Sequence, residues 1–155
     1  MNKNKKDPRG ERRTRANSLV KNMRKERAQL LSLLMQLSRP SPGRGSRTDP
    51  DVLREFCQVL VDYIAAGHFG LYERVASGKE RRHNIAQLAA GLLPRLQQTT
   101  EVAVAFNEKY APDAGEPDLD RLIEDLSELG EELTTRLELE DRLFSQVLGP
   151  ADAPG

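Results

Sequence analysis

A chain of 155 residues, 37% of them hydrophobic, is long enough for one packed core and too short for two of ordinary size. Its 24 Lys and Arg cancel its 24 Asp and Glu, but they are segregated: residues 1–50 hold 14 basic against 4 acidic side chains (+10) and residues 51–155 hold 10 against 20 (−10). One cysteine, Cys57, rules out an internal disulfide; no apolar run is long enough for a membrane span and none follows the charged N-terminus as in a leader, so a cytoplasmic protein is expected.

Residues 1–16, MNKNKKDPRGERRTRA, are basic and polar, with Pro8 and Gly10 among them and nothing to bury, so a disordered arm is predicted. It has no interleaved aromatics, and direct nucleic-acid binding is not expected of it. From Asn17 or Ser18 a helix should run to Leu37, because Val20, Met23, Arg27, Leu30, Leu34 and Leu37 step by three and four along one seam. Arg27 interrupts that seam with a charge; it either reaches out to water or pairs with a carboxylate inside. The proline- and glycine-rich run 38–48 ends this helix.

Asp49-Pro50 supplies an N-cap and a proline for the first helical position, opening a central helix predicted to reach about Ala76. At about 100° per residue its positions Leu53, Phe56, Leu60, Tyr63, Ile64, Gly67 and Leu71 form a buried stripe, with Gly67 expected to admit a neighbouring helix closely. Cys57 borders that stripe and reads as an inert small hydrophobe. On the opposite side Glu55, Asp62, Ala66, Phe69 and Glu73 align, placing a phenyl ring among carboxylates where no core pattern calls for one. Such a face suits a basic protein partner.

After Ser77-Gly78, Pro94 should divide the next segment into helices at about 80–92 and 94–110 or leave one bent helix. Residues 111–117 read as a loop. A last helix from about Asp118 to Leu148 carries Leu119, Leu122, Leu126, Leu129, Leu133, Leu137, Phe144 and Val147 at helical steps and stops at Gly149-Pro150. Its acids Glu131, Glu132, Glu138, Glu140 and Asp141 read as a solvated face. The fold class is therefore all-α: an antiparallel four-helix bundle over 17–149, with a proline break in its third helical segment, a disordered basic arm over 1–16 and a disordered tail over 150–155.

Catalytic and metal signatures are lacking. Of the two histidines, His68 and His83, only His83 is preceded at three residues by Glu, Glu80, whereas a di-iron bundle needs that spacing on two helices, and no nucleophile triad or phosphate-binding loop occurs. No enzyme activity, metal or cofactor is expected. Two rival readings remain open: a phosphocarrier using His68, and a DNA-associated regulator using the basic arm.

The run REFCQVLVDYIAAGHFGLYERV resembles the signature of the regulator-of-sigma-D family, the Rsd/AlgQ anti-sigma factors, whose pattern FC-x-x-LVDY-x-x-AGHF-x-x-YE is matched by Phe56, Cys57, Leu60 to Tyr63, Ala66 to Phe69, Tyr72 and Glu73. Leu19-Val20, Arg27 to Leu31, Leu93 to Leu96 and LSELGEELTTRLELEDRLF near the end extend the resemblance over about residues 19–148. It implies an all-helical bundle that binds region 4 of the primary sigma factor, a helix-turn-helix module with a basic surface, and withholds that factor from core polymerase. The candidate partner-binding set is Asp62, Ala66, Phe69 and Glu73 on the open stripe, with Tyr63, His68, Tyr72 and Arg27 beside them. The sequence departs from the family where an LVDRW-like segment is LVKNM, with Lys21 for the acid and Met23 for the indole.

Overall fold

The computed structural model describes residues 8–39, 49–72, 83–112 and 119–148, and among them there are helices and no strands. Helix α1 spans Pro8–Ser38, α2 Pro50–Ala66, α3 His83–Tyr110 and α4 Leu122–Leu148. A π-helical segment, Gly67–Tyr72, continues α2, and a 3-10 turn, Leu119–Arg121, leads into α4.

Helix α1 begins ten residues earlier than its apolar seam suggests. Pro8 suits a first helical turn, where its missing N–H costs no bond, and the arginine-rich run after it favours helix. The expectation of a disordered arm therefore does not apply to residues 8–16; residues 1–7, like the tail 150–155, lie outside the described residues. Helix α2 opens as expected: the Asp49 carboxylate accepts from the Asp51 N–H at 2.9 Å and the Asp49 carbonyl from the Leu53 N–H at 3.1 Å, with Pro50 at the start. Its α-helical part ends at Ala66 rather than Ala76. The chain then widens into the π turn, and residues 73–82 are not among those described.

Of the two readings of the third segment, one continuous helix is found, with Pro94 inside it. Pro94 and Ala90, whose carbonyl loses its helical partner there, are both exposed, so water can serve that carbonyl. At the far end of α3, Lys109 donates to Asp125 at 2.6 Å and the Tyr110 hydroxyl donates to the same oxygen. These two bonds hold the Asp125 carboxyl below its ordinary range.

Each helix packs on two others, α1 and α3 both against α2 and α4. Leu19 lies against Gly70 while Arg27 bonds Tyr63, so α1 and α2 are antiparallel. Leu34 against Gly130 and Arg27 on Glu140 make α1 and α4 antiparallel, and Thr99 with Arg136 beside Lys109 with Asp125 do the same for α3 and α4. The four helices thus run up and down around one core. Val20, Met23 and Leu30 from α1, Phe56, Leu60 and Tyr63 from α2, Leu96 and Phe106 from α3, and Leu129, Leu133 and Phe144 from α4 are all buried in it. Phe56 and Phe106 meet edge to face, their ring centroids 5.7 Å apart.

Gly67, where a close approach was expected, is buried, and a close approach is found at Gly70. A Cβ built on Gly70 would stand 2.7 Å from Leu19 Cδ1, so the absent side chain lets α1 lie against the π turn. Leu119 is exposed, not part of the core stripe as expected, because the 3-10 turn before Leu122 has a different period from the helix.

Candidate functional site

Asp62, on the outer side of α2, is exposed and accepts from the Gln58 side-chain amide at 3.1 Å, one turn back on the same helix. Ala66, one turn further on, is half-buried and packs against the edge of the core. Beyond it the backbone enters the π turn. Phe69 has 69% of its surface exposed, the most open large apolar side chain among those described. His68 is also exposed, and its ring stands edge-on to Phe69 with centroids 4.8 Å apart. Val61, which the wheel of the sequence left aside, is also exposed, one residue before Asp62. Tyr72 closes the π turn, and nothing is described of its side chain; Glu73 lies outside the described residues.

A second carboxylate belongs to this face and was missed in the sequence. Glu26 of α1 is close enough to Asp62 for its pKa to be raised, first by burial and then by the Asp62 charge. Its Oε2 is buried and has no hydrogen-bond partner among the described residues. Glu26 of α1 thus adds a second acid near Asp62 of α2. The only signal for Glu26 in the sequence was its place seven residues after Leu19, two helical turns along the flank that meets α2.

Behind this face lies a buried polar network. Arg27 leaves the α1 seam and donates to Asp141 at 2.7 Å, to Glu140 at 3.2 Å and to the Tyr63 hydroxyl at 3.2 Å, which settles it as internally paired. Tyr63 is sealed inside α2 and its hydroxyl donates to Glu140, so both Tyr63 and Arg27 stand behind the open stripe. Arg136 Nε donates to the other Glu140 oxygen at 3.1 Å, and its Nη1 donates to Thr100 at 2.8 Å and Thr99 at 3.1 Å. Arg136 and Glu140 are both 0% exposed, which corrects the reading of Glu140 as part of a solvated acidic face. The physical reason is position: the α4 core stripe runs Leu129, Leu133, Arg136, Glu140, Phe144 at helical steps, so two of its places are filled by an ion pair. Burial, followed by the Glu140 charge and bond, drives the Tyr63 hydroxyl far above its ordinary range, keeping it a neutral donor. Arg27 also stacks over the Phe144 ring, 5.3 Å from its centroid.

Against known proteins, the model of the family described as "Regulator of RNA polymerase sigma(70) subunit, Rsd/AlgQ" matches residues 3–148. The chain belongs to this family. It is 36% identical over 141 residues to the protein named Regulator of sigma D from Shigella dysenteriae serotype 1 (strain Sd197), covering 88% of this chain and 87% of that one. The figures are the same for the Regulator of sigma D of Escherichia coli O139:H28 (strain E24377A / ETEC). No solved structure matches significantly.

The structure divides the Rsd/AlgQ signature of this chain into two sides. Phe56, Cys57, Leu60 and Tyr63 face the core, whereas Asp62, His68 and Phe69 face out. The later family run contributes Arg136, Glu140 and Asp141 to the internal network. Met23, where the family pattern carries tryptophan, is fully buried among the core side chains, while Lys21 is exposed. The Met23 difference is therefore one of core packing, and Lys21 is the one that reaches the surface. Among the described residues no three His, Cys, Asp or Glu are grouped to hold a metal ion, and no helix is long and apolar enough to cross a membrane.

Proposed function

We propose that this Rsd/AlgQ family member is a non-enzymatic anti-sigma factor of the bacterial cytoplasm. It binds region 4 of the primary RNA polymerase sigma factor and withholds that factor from core polymerase. The observation that carries the reading is Phe69, a phenyl ring held largely in solvent by the π turn and flanked along α2 by the Asp62 carboxylate. An exposed aromatic of this kind is what a partner buries as an interface anchor, and the acids around it steer and orient a basic surface. The relatives' name, Regulator of sigma D, supplies the partner class, and a helix-turn-helix module with a basic face supplies the complementary charge.

In this reading Asp62 and Glu26 meet basic side chains of region 4, while Phe69, Val61, His68 and the edge of Ala66 are covered on binding. Tyr72 and Glu73 are assigned to the partner-binding set on their place in the sequence signature alone. Tyr63 and Arg27 hold α2 in register from behind and act without touching the partner. The test is a calorimetric titration of the whole chain with purified region 4 and, separately, with the sigma factor lacking it. Saturable one-to-one heat with region 4 and none with the truncated factor supports the proposal. Equal binding to both rejects the assignment to region 4.

A further inference from the structure

On the opposite side of the bundle from α1 and α2, helices α3 and α4 enclose an open groove of about 540 Å³. The buried Phe106 and Leu129, with half-buried Val102, give it an apolar floor, and charged side chains line the rest. Arg95 is held by Glu132 at 2.8 Å and Lys109 by Asp125 at 2.6 Å, so both cations of the groove are neutralised in place. Glu101 and Glu128 remain, both exposed and in no ion pair among the described residues, and they leave the groove net negative. Neither the family resemblance nor the Asp62 face accounts for this surface.

We infer that the groove between α3 and α4 receives the basic amino-terminal segment of a second copy of this chain. Residues 1–16 carry seven Lys and Arg against two Asp and Glu and almost no apolar side chain. Long basic side chains fit such a groove well: their aliphatic stems lie on the apolar floor while their heads meet Glu101 and Glu128. The segment is also presented outward. Arg27 of α1 stands level with Asp141, so α1 residues before about Ser18 project past the described ends of α2 and α4, and Thr14, Arg15, Asn17 and Ser18 are exposed.

The segment cannot reach its own groove. Leu34 lies level with Gly130, within the stretch of α4 that lines the groove. Pro8 is carried about 39 Å from that level by the helical rise between them, whereas residues 1–7 span at most about 25 Å when fully extended. Engagement must occur between molecules. Because one end of each chain meets a different surface of the next, the contact is head-to-tail.

The experiment is sedimentation of the full chain across a range of concentrations at low and high salt. At low salt the weight-average mass is expected to rise with concentration above the 17.4 kDa of one chain, and at high salt to return to it. A double Glu101→Lys, Glu128→Lys variant, and separately a triple Arg12→Gln, Arg13→Gln, Arg15→Gln variant, should each stay monomeric at low salt. Mixing the two variants should restore a one-to-one complex, since one retains the arm and the other the groove. A wild-type chain that stays monomeric at low salt, a groove variant that associates as the wild type does, or a mixture that forms no complex overturns the inference. Circular dichroism of both variants establishes that their helices are intact. None of these readouts involves a sigma factor, so the outcome is independent of the proposed function.

Discussion

Arg27 and Glu140, 113 residues apart in sequence, meet at 3.2 Å in the interior and tie the first helix to the last. Glu140 is also the acceptor for Tyr63 and Arg136, so one carboxylate collects donors from three helices. An ion pair of this kind need not stabilise more than an apolar pair of the same size, but removing one member strands the others.

Glu140→Ala should therefore destabilise the fold by about 3–5 kcal/mol, because the buried Arg136 loses its counter-charge and Tyr63 its acceptor. Chemical denaturation measures this directly. A loss under about 1 kcal/mol, the range of exposed pairs, would show that the network is not buried as described.

Glu26→Gln should move stability and binding in opposite directions. The folded Glu26 carboxyl titrates above its ordinary value, so the folded state holds its proton more tightly than the unfolded chain does. Its charge therefore costs nothing below the ordinary glutamate range. The cost develops as pH rises through the folded value and is fully present at neutral pH. The glutamine variant should be no more stable than the parent near pH 4 and more stable at pH 7, by up to about 1 kcal/mol, since it removes an incompletely bonded carboxylate. At pH 7 it should bind region 4 more weakly. Melting temperatures at the two pH values, with one titration at pH 7, check all three signs.

Much of this arrangement could be read from the residues, and the failures share a cause. The core seams of α1 and α2, the capping by Asp49 and Pro50 and the outward direction of Asp62 and Phe69 all follow from local spacing, and the structure agrees with them. What spacing did not give was any feature requiring a second helix. Glu140 looked like one acid among many until Arg27 and Tyr63 arrived beside it, and Glu26 had no distinction until Asp62 stood opposite. Gly70 had no distinction either until Leu19 of the first helix lay against it, at a π turn that no 3.6-residue wheel anticipates.

Cys57 should behave as a buried hydrophobe and not as a thiol nucleophile. Its side chain is sealed between α2 and its neighbours, and burial pushes its pKa up to about 11. A thiol reagent added to the native protein at pH 8 should leave Cys57 unmodified over the time in which the unfolded chain reacts completely. Comparable rates in the two states would contradict the packing of α2.

Phe69→Ala should leave stability within about 0.5 kcal/mol, since a largely exposed ring contributes little to the core. The same change should cost about 2 kcal/mol or more of binding to region 4 if the ring is an anchor of the interface. Equal effects on both would place the ring inside the fold instead.

The most direct measurement is a calorimetric titration of region 4 into the Asp62→Lys variant beside the parent chain. Asp62 is exposed and its one hydrogen bond among the described residues is from Gln58, so its reversal should leave the helix content intact and should not lower the melting temperature, since the new ammonium faces the Glu26 carboxylate. The account predicts that affinity falls by about a hundredfold or more, as a carboxylate facing a basic surface becomes an opposing ammonium. An unchanged dissociation constant would contradict the claim that this face of α2 holds the sigma factor.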